Sequence, residues 1–207
     1  MHHITRSMVA VSFIVAVSGS LAYAEQAKPA QPMMDPQQQA AMAAMQQAGS
    51  PSEGHKVLAL LAGTWNYTAQ FWMSPEAAVE TMAGTSTNSL IFGGRFLKQE
   101  IRGTMNDQPP FEGVGFTGYD NIRKEYQSVW LDNMATGTML STGQFDPSSK
   151  VLTEQGDFSC PMTGEAHHWF RSDWKIVDDN HLTYESYSRA PDGKEYKAME
   201  ILYTRAQ

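Results

Sequence analysis

From Trp65 to Thr204 the chain is broken at short, regular intervals by turn-forming clusters, and that punctuation restricts the fold more than any other feature. The clusters are Gly93-Gly94, Asp107 to Pro110, Asp120-Asn121, Asp132-Asn133, Asp146-Pro147, Pro161 to Gly164, Asp178 to Asn180 and Pro191-Asp192-Gly193. The intervals between them are rich in Thr, Tyr, Phe, Trp and Val, which favour a pleated backbone. No interval is long enough for the helical crossover that parallel strands need, so the pairing must be antiparallel. Ten strands are predicted, over 64–72, 82–92, 95–105, 111–119, 124–131, 138–145, 151–158, 166–177, 181–188 and 196–204. Ten hairpin-linked strands lose their exposed edges if the sheet closes on itself. The expected fold is therefore all-β, an antiparallel up-and-down barrel, with a two-sheet sandwich as the alternative.

Ahead of the strands, His55, Leu58, Ala59 and Ala62 recur at helical spacing and Gly63 stops the run, which predicts a short N-terminal helix. The barrel domain is placed at 53–207. Residues 25–52 are dominated by Gln, Ala, Pro and Met and read as a flexible tail. Within it, Asp35 to Ala48 can form a helix with Asp35 as N-cap and Pro36 at the first position, marginal if isolated. Met33, Met34, Met42 and Met45 are soft ligands of the kind monovalent copper takes, but no His or Cys is interleaved, so no metal site is assigned. Residues 1–24 carry His2, His3 and Arg6, no acid, an apolar run from Met8 to Val17, and Ala22-Tyr23-Ala24 before Glu25. That is the form of a cleaved signal peptide, and it predicts export to the periplasm or beyond. The apolar run is too short for a permanent membrane span, and no cysteine stands at the cleavage point for lipid attachment.

Removing Arg6 with the leader leaves 14 Lys and Arg against 22 Asp and Glu. An acidic surface disfavours nucleic acid and anionic headgroups as partners. Cys160 is the only cysteine, so no internal disulfide is possible and the fold must stand on its core. The sequence has no G-x-S-x-G, no H-E-x-x-H and no P-loop, and no catalytic residue or cofactor is assigned. Gly113-Val114-Gly115-Phe116-Thr117-Gly118 fits the dinucleotide pattern, but a turn and another strand follow it where a helix is required, so the glycines are read as part of a bent strand.

Strand alternation bears on what the interior holds. In the eighth strand His168, Phe170, Trp174 and Ile176 share a face, expected to point inward, whereas His167 points the other way, so the two histidines cannot chelate one ion. Glu100 with Arg102, and Tyr126 with Ser128, Trp130 and Asp132, put polar and aromatic groups on common faces. Such mixed linings suit a cavity with apolar walls and a few placed polar groups better than a dry core. Arg102, Phe116, Tyr126, Trp130 and His168 are the candidate ligand-binding residues, and Trp130 to Asn133 is the densest candidate for a functional lip. His168 is also the residue that could ligate haem iron or serve as a base.

Gly63-Thr64-Trp65 after a short helix, with Arg205 at the end of the last strand, resembles the calycin superfamily of lipocalins and fatty-acid-binding proteins. The resemblance implies structural roles: the Trp65 ring closes the barrel floor and the Arg205 guanidinium stacks on it. More closely, Leu61 to Arg205 resembles the bacterial DUF1579 family. The segments that carry this are Leu61 to Trp65, Gly93 to Leu97, Phe111 to Gly113, Gly118 to Asn121, Ser128 to Met134, Pro161 to Gly164 and Met199 to Ile201. That family brings no activity with it. The functional expectation is a barrel that binds a small, hydrophobic or amphipathic molecule. The alternatives are an enzyme working in the same cavity through His168 and a carboxylate such as Glu100, a haem-binding barrel, or an interaction module that uses its Gln-rich tail.

Overall fold

The computed structural model describes residues 34–105 and 109–207. The expected signal peptide lies outside the described residues. Two helices, α1 (Pro36–Ala48) and α2 (Glu53–Leu61), precede ten strands: β1 (Gly63–Phe71), β2 (Glu80–Ile91), β3 (Phe96–Thr104), β4 (Phe111–Asp120), β5 (Glu125–Asp132), β6 (Met139–Asp146), β7 (Val151–Phe158), β8 (His168–Asp178), β9 (His181–Arg189) and β10 (Glu195–Arg205). Every strand pairs antiparallel with its sequence neighbours, and β1 pairs with β10 from Trp65↔Arg205 to Phe71↔Met199, so the sheet is a closed up-and-down barrel. The sandwich alternative is excluded by that last ladder. Each strand falls within two residues of its sequence-based bounds.

One end of the barrel is plugged. Helix α2 buries His55, Val57, Leu58 and Leu61 against the strand ends, a face shifted from the one read in the sequence, because Ala59 points to solvent. The last carbonyl of the helix, that of Leu61, accepts from Trp65 Nε1 at 3.1 Å and from Asn88 Nδ2 at 2.9 Å. Both are buried donors, and the carbonyl is one that a helix end leaves without an internal partner. Trp65 is fully buried. The Arg205 guanidinium lies 4.1 Å from its ring centre and donates to the carbonyls of Ala62 (3.2 Å) and Asp179 (2.7 Å). Gly63 has φ +134°, and a side chain there would overlap that guanidinium, so glycine is required on two counts. The Tyr126 hydroxyl donates to the Gly54 carbonyl at 2.8 Å, and Gly54 itself leaves space for the Tyr119 ring.

The segment expected as a tail is tied to this end. Asp35 caps α1 in a capping box, with Pro36 in the first turn. Arg95 Nε donates to Gly49 O at 2.7 Å, and Asn121 Nδ2 donates to Ala48 O and Ser50 O. Helix α1 buries no residue. Its place is therefore set by the hydrogen-bonded chain that follows it. Among the described residues no helix is long and apolar enough to cross a membrane.

Candidate functional site

The registers fix which side chains face the lumen, because directly paired residues share a face. Starting from buried Trp65 and Tyr67 in β1, the inward set runs through Ser86 and Asn88, Leu97 and Ile101, then Gly113, Gly115 and Thr117 in β4. It continues through Tyr126, Ser128 and Trp130 in β5, Met139, Ser141 and Gly143 in β6, and Leu152, Glu154 and Gly156 in β7. His168, Phe170, Ser172 and Trp174 in β8 and Tyr184 and Ser186 in β9 complete the ring. The glycines of the apparent dinucleotide motif have a structural reason. A Cβ at Gly113 would overlap the Trp130 ring, and one at Gly115 would lie 2.9 Å from it, so β4 is bare where the indole lies across it. Trp130 Nε1 donates to Asp132 Oδ2 at 2.8 Å, which holds the ring over that bed.

The plugged end is closely packed, but the wall made by β5 to β9 is less so. Ser128, Trp130, Ser141, Trp174 and Tyr184 all point inward and all keep part of their surface accessible. Tyr184 lies deep enough that burial pushes its hydroxyl up to about 12, yet it is one of these partly accessible residues. A deep side chain with surface left over marks interior space. Its neighbours are aromatic: Trp174 lies 4.7 Å from Tyr184 and stacks on Tyr203 at 5.5 Å, centroid to centroid.

At the middle of this wall stands Glu154, 4% exposed. Its Oε1 accepts from Ser128 Oγ at 2.6 Å and from Ser141 Oγ at 3.4 Å. The Ser128 proton being committed to Glu154, the Thr117 hydroxyl donates to Ser128 at 2.8 Å, so a hydroxyl chain runs across three strands to one carboxyl oxygen. Oε2 accepts no hydrogen bond from the described residues and is not among the fully occluded polar atoms. Gly143 opposite makes the room, since a Cβ there would lie 2.7 Å from Glu154 Cγ. Burial raises the carboxyl above its ordinary range, and the two serine hydrogen bonds only partly oppose this.

His168 lies nearer the open end, on β8 next to the loop between β7 and β8. Its Nδ1 contacts Glu165 and its Nε2 contacts Ser188 Oγ at 2.6 Å, with Phe158 edge-on at 5.3 Å. The hydrogen bond from His168 holds the Glu165 carboxyl below its usual range. Acid, imidazole and hydroxyl in this order are the parts that activate a serine nucleophile. Ser188 is only 7% exposed, however, and lies in a strand paired on both sides, whose backbone N–H groups are engaged in the ladder. The array therefore serves to pin the loop and orient the ring. Both imidazole nitrogens are taken, so iron ligation by His168 would have to displace Ser188 or Glu165.

Two of the five candidate residues face away from the lumen. Arg102 pairs with Glu112 on the outer wall, and its side chain is 80% exposed. Phe116 also faces outward, opposite Lys98 and Val129, because inward Gly115 and Thr117 set the parity of β4. Glu100 lies outside as well, paired with Lys98 at 2.9 Å and on the opposite side of the sheet from His168. Tyr126, Trp130 and His168 face inward. Sequence reasoning missed Glu154, although the alternation Leu152, Glu154, Gly156, Phe158 would have placed it with the inward set. A groove of about 420 Å³ crosses β1, β2 and β10 on the outer wall, lined by residues that include Thr68, Gln70, Thr81 and Glu200, on the far side of the sheet from these groups.

Solved structures with the same architecture include Rv2717c from M. tuberculosis, with a TM-score of 0.57 and 14% identity over 76% of this chain and 100% of that one. The S-type phycobiliprotein lyase of Guillardia theta is similar with a TM-score of 0.53 and 9% identity, over 78% of this chain and 97% of that one. At these identities the likeness is one of fold. No curated protein matches the sequence. The family described as a protein of unknown function, DUF1579, matches residues 50–205, which is the barrel with the helix that plugs it, and the chain belongs to that family.

Proposed function

We propose that this is an exported barrel that holds a small, partly apolar molecule in its lumen, for transport, storage or sensing. The reading rests on one observation: the inward wall of β5 to β9 keeps accessible aromatic and hydroxyl surface around a buried carboxyl, while the opposite end is sealed by α2, Trp65 and Arg205. Apolar walls with a few placed polar groups are what a small-molecule site needs, and a barrel filled for stability alone would leave no such surface. Export is supported by the leader pattern of residues 1–24.

The test is a native mass spectrum of the protein isolated from its own host, with an absorbance spectrum of the same sample. A bound organic molecule of discrete mass and a chain starting at Glu25 are expected. A bare protein mass, together with no uptake of a neutral apolar dye by the refolded protein, overturns the reading. A Soret band would replace the organic ligand with haem and require that His168 give up one of its two partners.

A further inference from the structure

We propose that the lumen selects ligands carrying a basic nitrogen, a protonated primary or secondary amine or an amidine on an aromatic or apolar body, with the nitrogen seated on the free oxygen of Glu154. This rests on the lumen being the ligand site. Three observations carry it beyond that.

The first is the carboxyl itself. Glu154 is buried, its Oε1 is fixed by Ser128 and Ser141, and its Oε2 takes no hydrogen bond from the described residues. An oxygen held in place by its sibling's partners, with its own lone pairs unused, is pre-oriented for a donor arriving from the lumen. Neutral donors would satisfy it, but a cation also offsets the cost of keeping charge out of water, which the two serines do only in part.

The second is the arrangement of the protein's own cations. Arg102, Lys98 and Lys175 stand on outward positions, Arg171 lies over the Tyr187 ring on the outside, and Lys197 bonds Glu185 and Glu200. Arg205 is committed at the plugged end. Among the described residues no Lys or Arg side chain is directed at Glu154, so none of these cations neutralises it. A fatty acid or other anion entering the lumen would meet a carboxyl and no counter-charge.

The third is the wall beside it. Trp174 belongs to the strand next to Glu154, Tyr184 pairs with it from the strand beyond, and Trp130 lies on the strand that supplies Ser128. Aromatic faces attract a cation that is desolvated against them. A carboxyl on an inward face that also carries aromatic rings distinguishes an amine from an alcohol of the same shape by charge, and from an acid by sign.

The experiment is isothermal titration of the intact mature protein with three ligands of matched body: phenethylamine, 2-phenylethanol and 3-phenylpropanoate. Each is checked by displacement of the neutral probe N-phenyl-1-naphthylamine. The amine is expected to bind at least tenfold tighter than the alcohol, with no measurable binding of the acid. In Glu154→Gln the ratio of amine to alcohol falls to near one. The wild-type series decides the matter even if that variant fails to fold. Uptake of the probe with equal or inverted preference among the three overturns the amine proposal and leaves the lumen as the binding site. No uptake of the probe or of any of the three overturns both.

Discussion

Truncating Arg205 to alanine removes three interactions at once, and their sizes follow from the geometry. The guanidinium over Trp65 at 4.1 Å is partly desolvated, a stacking worth about 0.5–2 kcal/mol. Its two hydrogen bonds, to Ala62 O at 3.2 Å and Asp179 O at 2.7 Å, involve a charged donor, for which roughly 1.5–3 kcal/mol each is usual when buried. Arg205 is half-exposed and water can reach the freed carbonyls, so the lower end applies. The loss should be about 3–5 kcal/mol out of the 5–15 kcal/mol typical of a domain. For a domain of this size each kcal/mol moves Tm by about 2–4 °C, so a drop of about 6–20 °C is expected in a thermal melt followed by circular dichroism. Arg205→Lys keeps the charge and loses the fork, and should recover less than half. Gly63→Ala provides the internal control: alone it suffers both backbone strain at φ +134° and overlap with the guanidinium, but in the Arg205→Ala background only the strain remains. The double-mutant cycle should show about 1–3 kcal/mol of coupling. An Arg205→Ala loss below about 1 kcal/mol, or a Gly63→Ala cost equal in both backgrounds, would refute the idea that these residues together close the barrel.

Three further outcomes are expected. In Tyr67→Phe, removing a 3%-exposed tyrosine's hydroxyl that has no partner should raise stability by about 0.5–2 kcal/mol in urea unfolding, and a loss would contradict the accounting. Gly113→Ala forces the Trp130 ring off its bed, costing about 1–3 kcal/mol and weakening the near-ultraviolet circular dichroism of the indole; an unchanged spectrum would show that the ring was never held there. Glu154 is an acid whose native carboxyl is raised above its ordinary 4.5, so the folded state binds the extra proton and wild-type stability falls as pH rises from about 4.5 toward the raised native value. Glu154→Gln lacks that slope, and its advantage over wild type should be absent at pH below about 4 and widen toward neutrality; a gap that narrows with rising pH would reverse the sign.

The barrel was readable because eight turn-forming clusters separate the strands from β2 to β10, and Gly63, Trp65 and Arg205 mark its seam. Facing was harder. In β4 the inward positions are Gly113, Gly115 and Thr117, so the bulky residue, Phe116, is the one outside, which reverses the usual inference from side-chain size. The cause is Trp130 on the next strand, whose ring occupies the volume that β4 leaves empty. Arg102 and Glu100 looked like a polar lining because their strand alternates as regularly as an amphipathic strand should, with Leu97 and Ile101 on the other side. Glu154 escaped notice for a different reason. Its meaning depends on Ser128, Ser141 and Gly143, which lie on two other strands and converge only when two hairpins close. His168 was placed on the correct face, but its partners Glu165 and Ser188 come from a loop and a neighbouring strand that no spacing rule connects.

The claim on which the functional account stands is that the interior, and not the outer wall, receives the ligand. Titrating the isotopically labelled protein with N-phenyl-1-naphthylamine and following amide shifts by two-dimensional NMR tests it most directly. Shifts concentrated at Ser128, Ser141, Glu154, Ser172 and Tyr184 are predicted. Shifts confined to the outer groove around Thr68, Gln70, Thr81 and Glu200, or none at saturating probe, would contradict it.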